Sequence, residues 1–141
     1  MAGTTSDRLR LAIQVVWIAG FSIGTVSHVL DLISGGTDTY GGFPPALRVF
    51  WLSLTALDPL AVVLLLLRKR VGVVLGLLII LADITVNWTV LVAIGGNPLF
   101  GVVNQTLFAA FLLITAPALW RWFAPAPEQG RPQVDISKEA S

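Results

Sequence analysis

Four apolar runs, roughly residues 10–33, 46–67, 71–94 and 99–120, take up most of this chain. Each matches the ~20 residues an α-helix needs to cross a bilayer. Inside hydrocarbon a backbone must satisfy its own hydrogen bonds, so runs of this kind fold as helices. Composition agrees: 55% of the 141 residues are hydrophobic and 12% are charged, against ~25% charged in an ordinary soluble domain. The expectation is an all-α fold, an integral membrane four-helix antiparallel bundle. It would occupy residues 1–123 as one transmembrane domain with short up-down-up-down connections.

The breaks between the runs are chemically distinct. Ser34 to Pro45 is a Gly/Pro-rich loop, Arg68-Lys69-Arg70 a tight basic turn, and Gly95-Gly96-Asn97-Pro98 a tight neutral one. Ala124-Pro125-Ala126-Pro127 opens a polar stretch, and residues 124–141 are expected to form a disordered cytoplasmic tail. Arg8, Arg10, Arg68, Lys69, Arg70 and Arg121 all fall on one side, with Arg48 alone near the other. The positive-inside rule then puts both termini in the cytoplasm of a multi-pass protein of the cell membrane. Trp17, Trp51, Trp88, Trp120 and Trp122 lie mostly toward run ends, where interfacial anchors belong, Trp17 least clearly. The first run is read as a retained span, since it is long, contains Gln14 and Trp17, and is followed by no A-x-A site.

Several chemistries are excluded. Without cysteine there is no thiol–disulfide exchange, Cys-ligated zinc or iron–sulfur cluster. That also removes the small quinone/disulfide oxidoreductases of the membrane. The single histidine, His28, cannot supply a bis-histidine haem within one chain. A net charge of +1 offers no nucleic-acid surface. No Gly-rich phosphate loop is present, and no cofactor or metal is expected.

Ionisable residues in a span cost about 2.5–3.5 kcal/mol each at its centre, so those present carry information. They are His28, Asp31, Asp58 and Asp83, with the amides Gln14, Asn87, Asn104 and Gln105. At 1.5 Å per residue, Asp58 and Asp83 fall near the midplane and the others, Gln14 excepted, in the outer half. Leu60–Leu67 and Val71–Leu81 make the inner halves of the second and third spans nearly pure hydrocarbon. Asp83 and Asn87 share a face at i, i+4, as do Thr55 and Asp58 at i, i+3. Gly20, Gly24, Ser27 and Asp31 form one stripe with His28 at its edge. Pro59 and Pro117 should each free a carbonyl four residues earlier, Pro59 at the depth of Asp58.

These positions predict a polar pocket between the helices, closed toward the cytoplasm by apolar side chains. His28, Asp31, Asp58 and Asp83 are its candidate proton-transfer groups. Thr55, Asn87, Asn104, Gln105 and Trp51 are its candidate ligand contacts. The competing reading makes the same polar residues a hydrogen-bonded clamp between helices. An aspartyl intramembrane protease is disfavoured, because Ala82 precedes Asp83 where that class has Gly-x-Gly-Asp. A metal site would need ligands that here sit at different depths.

Leu57-Asp58-Pro59-Leu60, the basic turn and a third run carrying Asp83 and Asn87 resemble small bacterial four-helix membrane proteins of uncharacterised function. In architecture the chain also resembles the EXPERA family, that of the emopamil-binding protein and the sigma-2 receptor. The likeness rests on His28 and Asp31 late in the first span, on Thr55, Asp58 and Pro59 in the second, and on Pro117 late in the last. The family places its histidine and acid four residues apart and carries a second-helix acid that would fall near Phe50 or Trp51. Its last-helix Asn and Trp have no clean counterparts around Ala110 and Leu113. The resemblance implies a lipophilic ligand pocket with buried acids.

The leading expectation is therefore an integral membrane protein that binds a membrane lipid or small lipophilic molecule in an outward-facing pocket. Isomerase-like proton transfer would be its chemistry if it is an enzyme. A proton-coupled small-molecule transporter and an accessory subunit of a membrane complex are the alternatives, and a homodimer remains open.

Overall fold

The computed structural model describes residues 5–95 and 99–124. Residues 96–98 of the neutral turn, and the expected tail from residue 125 onward, lie outside the described residues. The fold is all-α: α1 (Thr5–Gly35), α2 (Pro45–Leu66), α3 (Arg70–Ala93) and α4 (Leu99–Trp122), with a 3₁₀ turn at Gly36–Asp38. All four helices are long and apolar enough to cross a membrane, which marks the chain as a multi-pass membrane protein.

α1 outruns its apolar run. Its 31 residues span ~46 Å, so the polar turns around Asp7 and Arg10, an exposed ion pair at 3.5 Å, extend past a ~30 Å hydrocarbon core. Gly36 at φ +55° ends the helix in the left-handed region. Pro44 and Pro45 open α2, where a missing N–H leaves no helical bond unmade.

Each helix packs on its sequence neighbours, and α4 closes the ring against α1 along the lightest seam. Polar side chains stitch the packing. Gln14, early in α1, donates to the carbonyl of Leu65, late in α2, at 2.7 Å. Arg70, opening α3, donates to the carbonyl of Trp120, late in α4, at 3.0 Å. Trp17 is fully buried and donates through Nε1 to the Thr115 hydroxyl at 2.9 Å. Trp51 is buried too, so these two indoles belong to the interior, whereas Trp88 and Trp120 are exposed. Helical spacing explains the difference. Trp17 and Phe21 share the α1 face that meets Gly76 of α3, whose missing side chain admits both rings.

Leu65, Val73, Leu112 and Leu119 are also wholly buried. They form the apolar core toward the Arg68–Arg70 turn. The ionisable residues of the spans, with Asn87, Asn104 and Gln105, collect on the other side of that core, whereas Gln14 stays on the side of Leu65.

Candidate functional site

Two adjoining cavities open within the ring of helices, of about 280 Å³ and 400 Å³. Ser27, His28, Asp83, Gly101 and Gln105 line both, so they are lobes of one site. The deeper lobe reaches Asp58 and is walled by Phe21, Ile79, Ile80 and Phe108. The shallower lobe reaches Asp31 and Asn87 and lies beneath Tyr40, Phe43 and Trp51.

Glycine makes the deeper lobe. A side chain on Gly20 would run into the Phe108 ring, and one on Gly24 would run into the Asp58 carboxyl group. The α1 stripe seen in sequence is thus the notch that receives an aromatic ring from α4 and an acid from α2. Asp58 and Asp83 are 4% and 7% exposed, so the interior and not lipid surrounds them. Asn87 donates to Asp83 Oδ1 at 2.8 Å and to Gln105 Oε1 at 3.0 Å, which ties α3 to α4 at the cavity wall. The cavity reaches the outer face of the bundle at Ile23, 71% exposed. Asn104, also exposed, faces it across the light α1–α4 seam.

At the other mouth a tyrosine from the connecting loop joins two residues of α1. Tyr40 donates its hydroxyl proton to Asp31 Oδ2 at 2.6 Å. His28 Nδ1 lies 3.4 Å from the same hydroxyl. A phenol already donating to a carboxylate can accept from Nδ1–H, which leaves Nε2 of His28 as the acceptor. Burial first, then the hydrogen bond and charge of Asp31, push the Tyr40 phenol well above the usual tyrosine range. It is a neutral donor at physiological pH. The left-handed backbone of Tyr40, φ +60°, places the ring 5.0 Å from that of Trp51. Phe43 packs edge-on against the same indole at 4.9 Å.

The structure thus brings His28, Asp31, Asp58, Asp83, Asn87, Asn104, Gln105 and Trp51 to one cavity. It leaves Thr55 out. Pro59 offers no N–H to the Thr55 carbonyl, and the buried Thr55 hydroxyl has no hydrogen-bond partner among the described residues. His28 and Asp31 do not pair directly; Tyr40 stands between them. Sequence reasoning missed Tyr40, Phe43 and Phe108. Phe108 was within reach, since it lies four residues from Asn104 and three from Gln105 on one helical face. Nothing local in the loop sequence announces that Tyr40 turns back over α1.

Chemically, the wall combines three carboxyl groups and one imidazole with aromatic surface. Among the described residues no lysine or arginine lines either lobe. Such a wall can take up or deliver protons and can hold a polar group of an otherwise apolar molecule. No protein family, curated protein or solved structure matches the chain.

Proposed function

We propose that this protein binds a small lipophilic molecule in the two-lobed cavity, with its polar group at Asp58 and Asp83 and its apolar body against Phe21 and Phe108. The observation that carries this reading is a cavity of about 280 Å³ plus 400 Å³. It is lined partly by rings and partly by acids, and it opens toward lipid between Ile23 and Asn104. A molecule dissolved in the bilayer reaches such an opening without crossing water.

The reading extends to an antiparallel bundle in the cell membrane with both termini cytoplasmic. Its support is the pairing of early with late helix positions, Gln14 with Leu65 and Arg70 with Trp120. The gathering of Arg68, Lys69, Arg70 and Arg121 at one end also favours it. If the site is catalytic, a buried acid delivers a proton to the ligand, and His28, held by Tyr40 with Nε2 left as the acceptor, takes one from it. The EXPERA likeness belongs to the same proposal: buried acids facing a lipophilic ligand.

Native mass spectrometry of the protein released from its own membrane tests the proposal, and it also reports the oligomer. A retained lipophilic molecule that is lost in D58N and D83N, with helicity unchanged, supports it. Unfolding of D83N would make the acid a structural clamp. Proton-driven uptake into vesicles that depends on Asp58 or Asp83 would make the protein a transporter instead.

A further inference from the structure

The end of the bundle away from Tyr40 carries a second feature, unrelated to the cavity. α2 ends in a Schellman motif. Lys69 N–H donates to the Leu64 carbonyl at 2.9 Å and Arg68 N–H to that of Leu65 at 3.0 Å. This motif forces one residue into the left-handed region, where glycine is the usual occupant. Here the position is held by Arg68, at φ +51°. A Cβ is sterically disfavoured in that conformation, so the local backbone does not explain the arginine.

Its side chain is accounted for further out. The Arg68 guanidinium lies 4.4 Å from the ring centroid of Trp122, and that of Arg70 lies 4.9 Å from Trp120. Arg70 is oriented further by its Nε bond to the Trp120 carbonyl at 3.0 Å, one of the carbonyls that the end of α4 leaves without a helical partner. With Nε engaged, the two Nη groups of Arg70 remain as a fork. A guanidinium held against an indole presents its N–H edge outward. Lys69 and Arg121 are exposed alongside. Among the described residues the only ion pair is Arg10 with Asp7, and no described acid pairs with any of these four cations.

The neighbours of the cluster are exposed and apolar: Leu66, Leu67 and Val71 are 59%, 60% and 65% exposed. Fixed guanidinium forks fit a phosphate, and an apolar surface continuing along the helices fits acyl chains. We propose that the Arg68–Arg70 turn and the end of α4 form a binding site for the headgroup phosphate of an anionic phospholipid. Arg68 and Arg70 are the phosphate forks, and Lys69 and Arg121 add charge that selects against a headgroup bearing its own cation. A free phosphate ion would use the forks but not the apolar border.

The test uses the full chain in neutral detergent, with phosphatidylglycerol, phosphatidylcholine or inorganic phosphate added. Lipid retention is followed by native mass spectrometry and the melting temperature by circular dichroism. Phosphatidylglycerol should be retained and raise the melting temperature saturably, phosphatidylcholine should not, and millimolar inorganic phosphate should fail to displace the lipid. R68G is the informative variant, because it relieves the left-handed backbone. The lipid-free protein should melt no lower than wild type, while phosphatidylglycerol binding weakens about fivefold. R68G/R70Q should weaken it about thirtyfold. R68K keeps the charge but not the fork and should also bind more weakly than wild type. Equal retention of the two lipids overturns the proposal, as does displacement by inorganic phosphate. Wild-type affinity in R68G or R68K overturns it equally.

Discussion

Among the bonds between described residues, replacing Asn87 by alanine cuts two at the cavity wall, to Asp83 Oδ1 at 2.8 Å and to Gln105 Oε1 at 3.0 Å. The size of the loss depends on what those two acceptors do next. If no water reaches them, each becomes an orphaned buried group at about 1–3 kcal/mol, or about 2–6 kcal/mol together. If water takes over, the loss falls to the ordinary worth of a hydrogen bond within a membrane protein, about 0.6 kcal/mol each and so about 1.2 kcal/mol. Asp83 and Gln105 both line the shallower lobe of about 400 Å³, ample for water, whose share of liquid volume is about 30 Å³. Asn87 also carries little apolar surface to lose. The expected destabilisation of N87A from these two bonds is therefore about 1 kcal/mol. Equilibrium unfolding in mixed micelles, read by helicity and tryptophan fluorescence, measures it. A loss above about 3 kcal/mol would refute the reasoning: Asp83, Asn87 and Gln105 would then be a dry clamp, and the cavity beside them would not be a hydrated binding site.

Other substitutions probe separate contacts. G24V forces a side chain into the space of the Asp58 carboxyl group; it should cost about 1–3 kcal/mol and abolish ligand retention in native mass spectrometry, whereas retention at wild-type level would place the ligand elsewhere. W17F removes the donor to Thr115, and a double-mutant cycle with T115V should give a coupling of about 0.6–1.7 kcal/mol; strictly additive losses would contradict the bond. Tyr40 has a folded-state pKa above its unfolded value, so its contribution is complete below about pH 10 and is lost as pH rises through the folded value. The wild-type melting temperature should therefore fall on the alkaline side of pH 10, and Y40F should flatten that part of the slope.

Much of this organisation is written in the chain itself. Hydrocarbon tolerates few backbone solutions, so length and apolarity alone announce four helices. The i, i+4 spacing of Asp83 and Asn87 and the Gly20, Gly24, Ser27 stripe mark faces, because helical periodicity is a local property. The Gly/Pro loop and basic turn mark the ends. Less was legible where contacts join distant segments. Trp17 reads as one more tryptophan of a span, yet Gly76 and Thr115, on two other helices, make it a core residue. Thr55 shares a face with Asp58 but is displaced from the cavity, a matter of how α2 is rotated against its neighbours.

The sequence by itself determined that this chain builds apolar helices and which few polar groups those helices must accommodate. Transfer free energy and helical spacing act residue by residue, and no fold is needed to evaluate them. Only the tertiary structure decided what the polar groups do to one another. The ring of helices put acids of α2 and α3 into one cavity with the glycine notch of α1 and Phe108 of α4. It bent Tyr40 back between His28 and Asp31, and it brought the tryptophans of α4 under the arginines of the basic turn. Those pairings depend on helix rotation and loop path, which packing sets and local sequence does not.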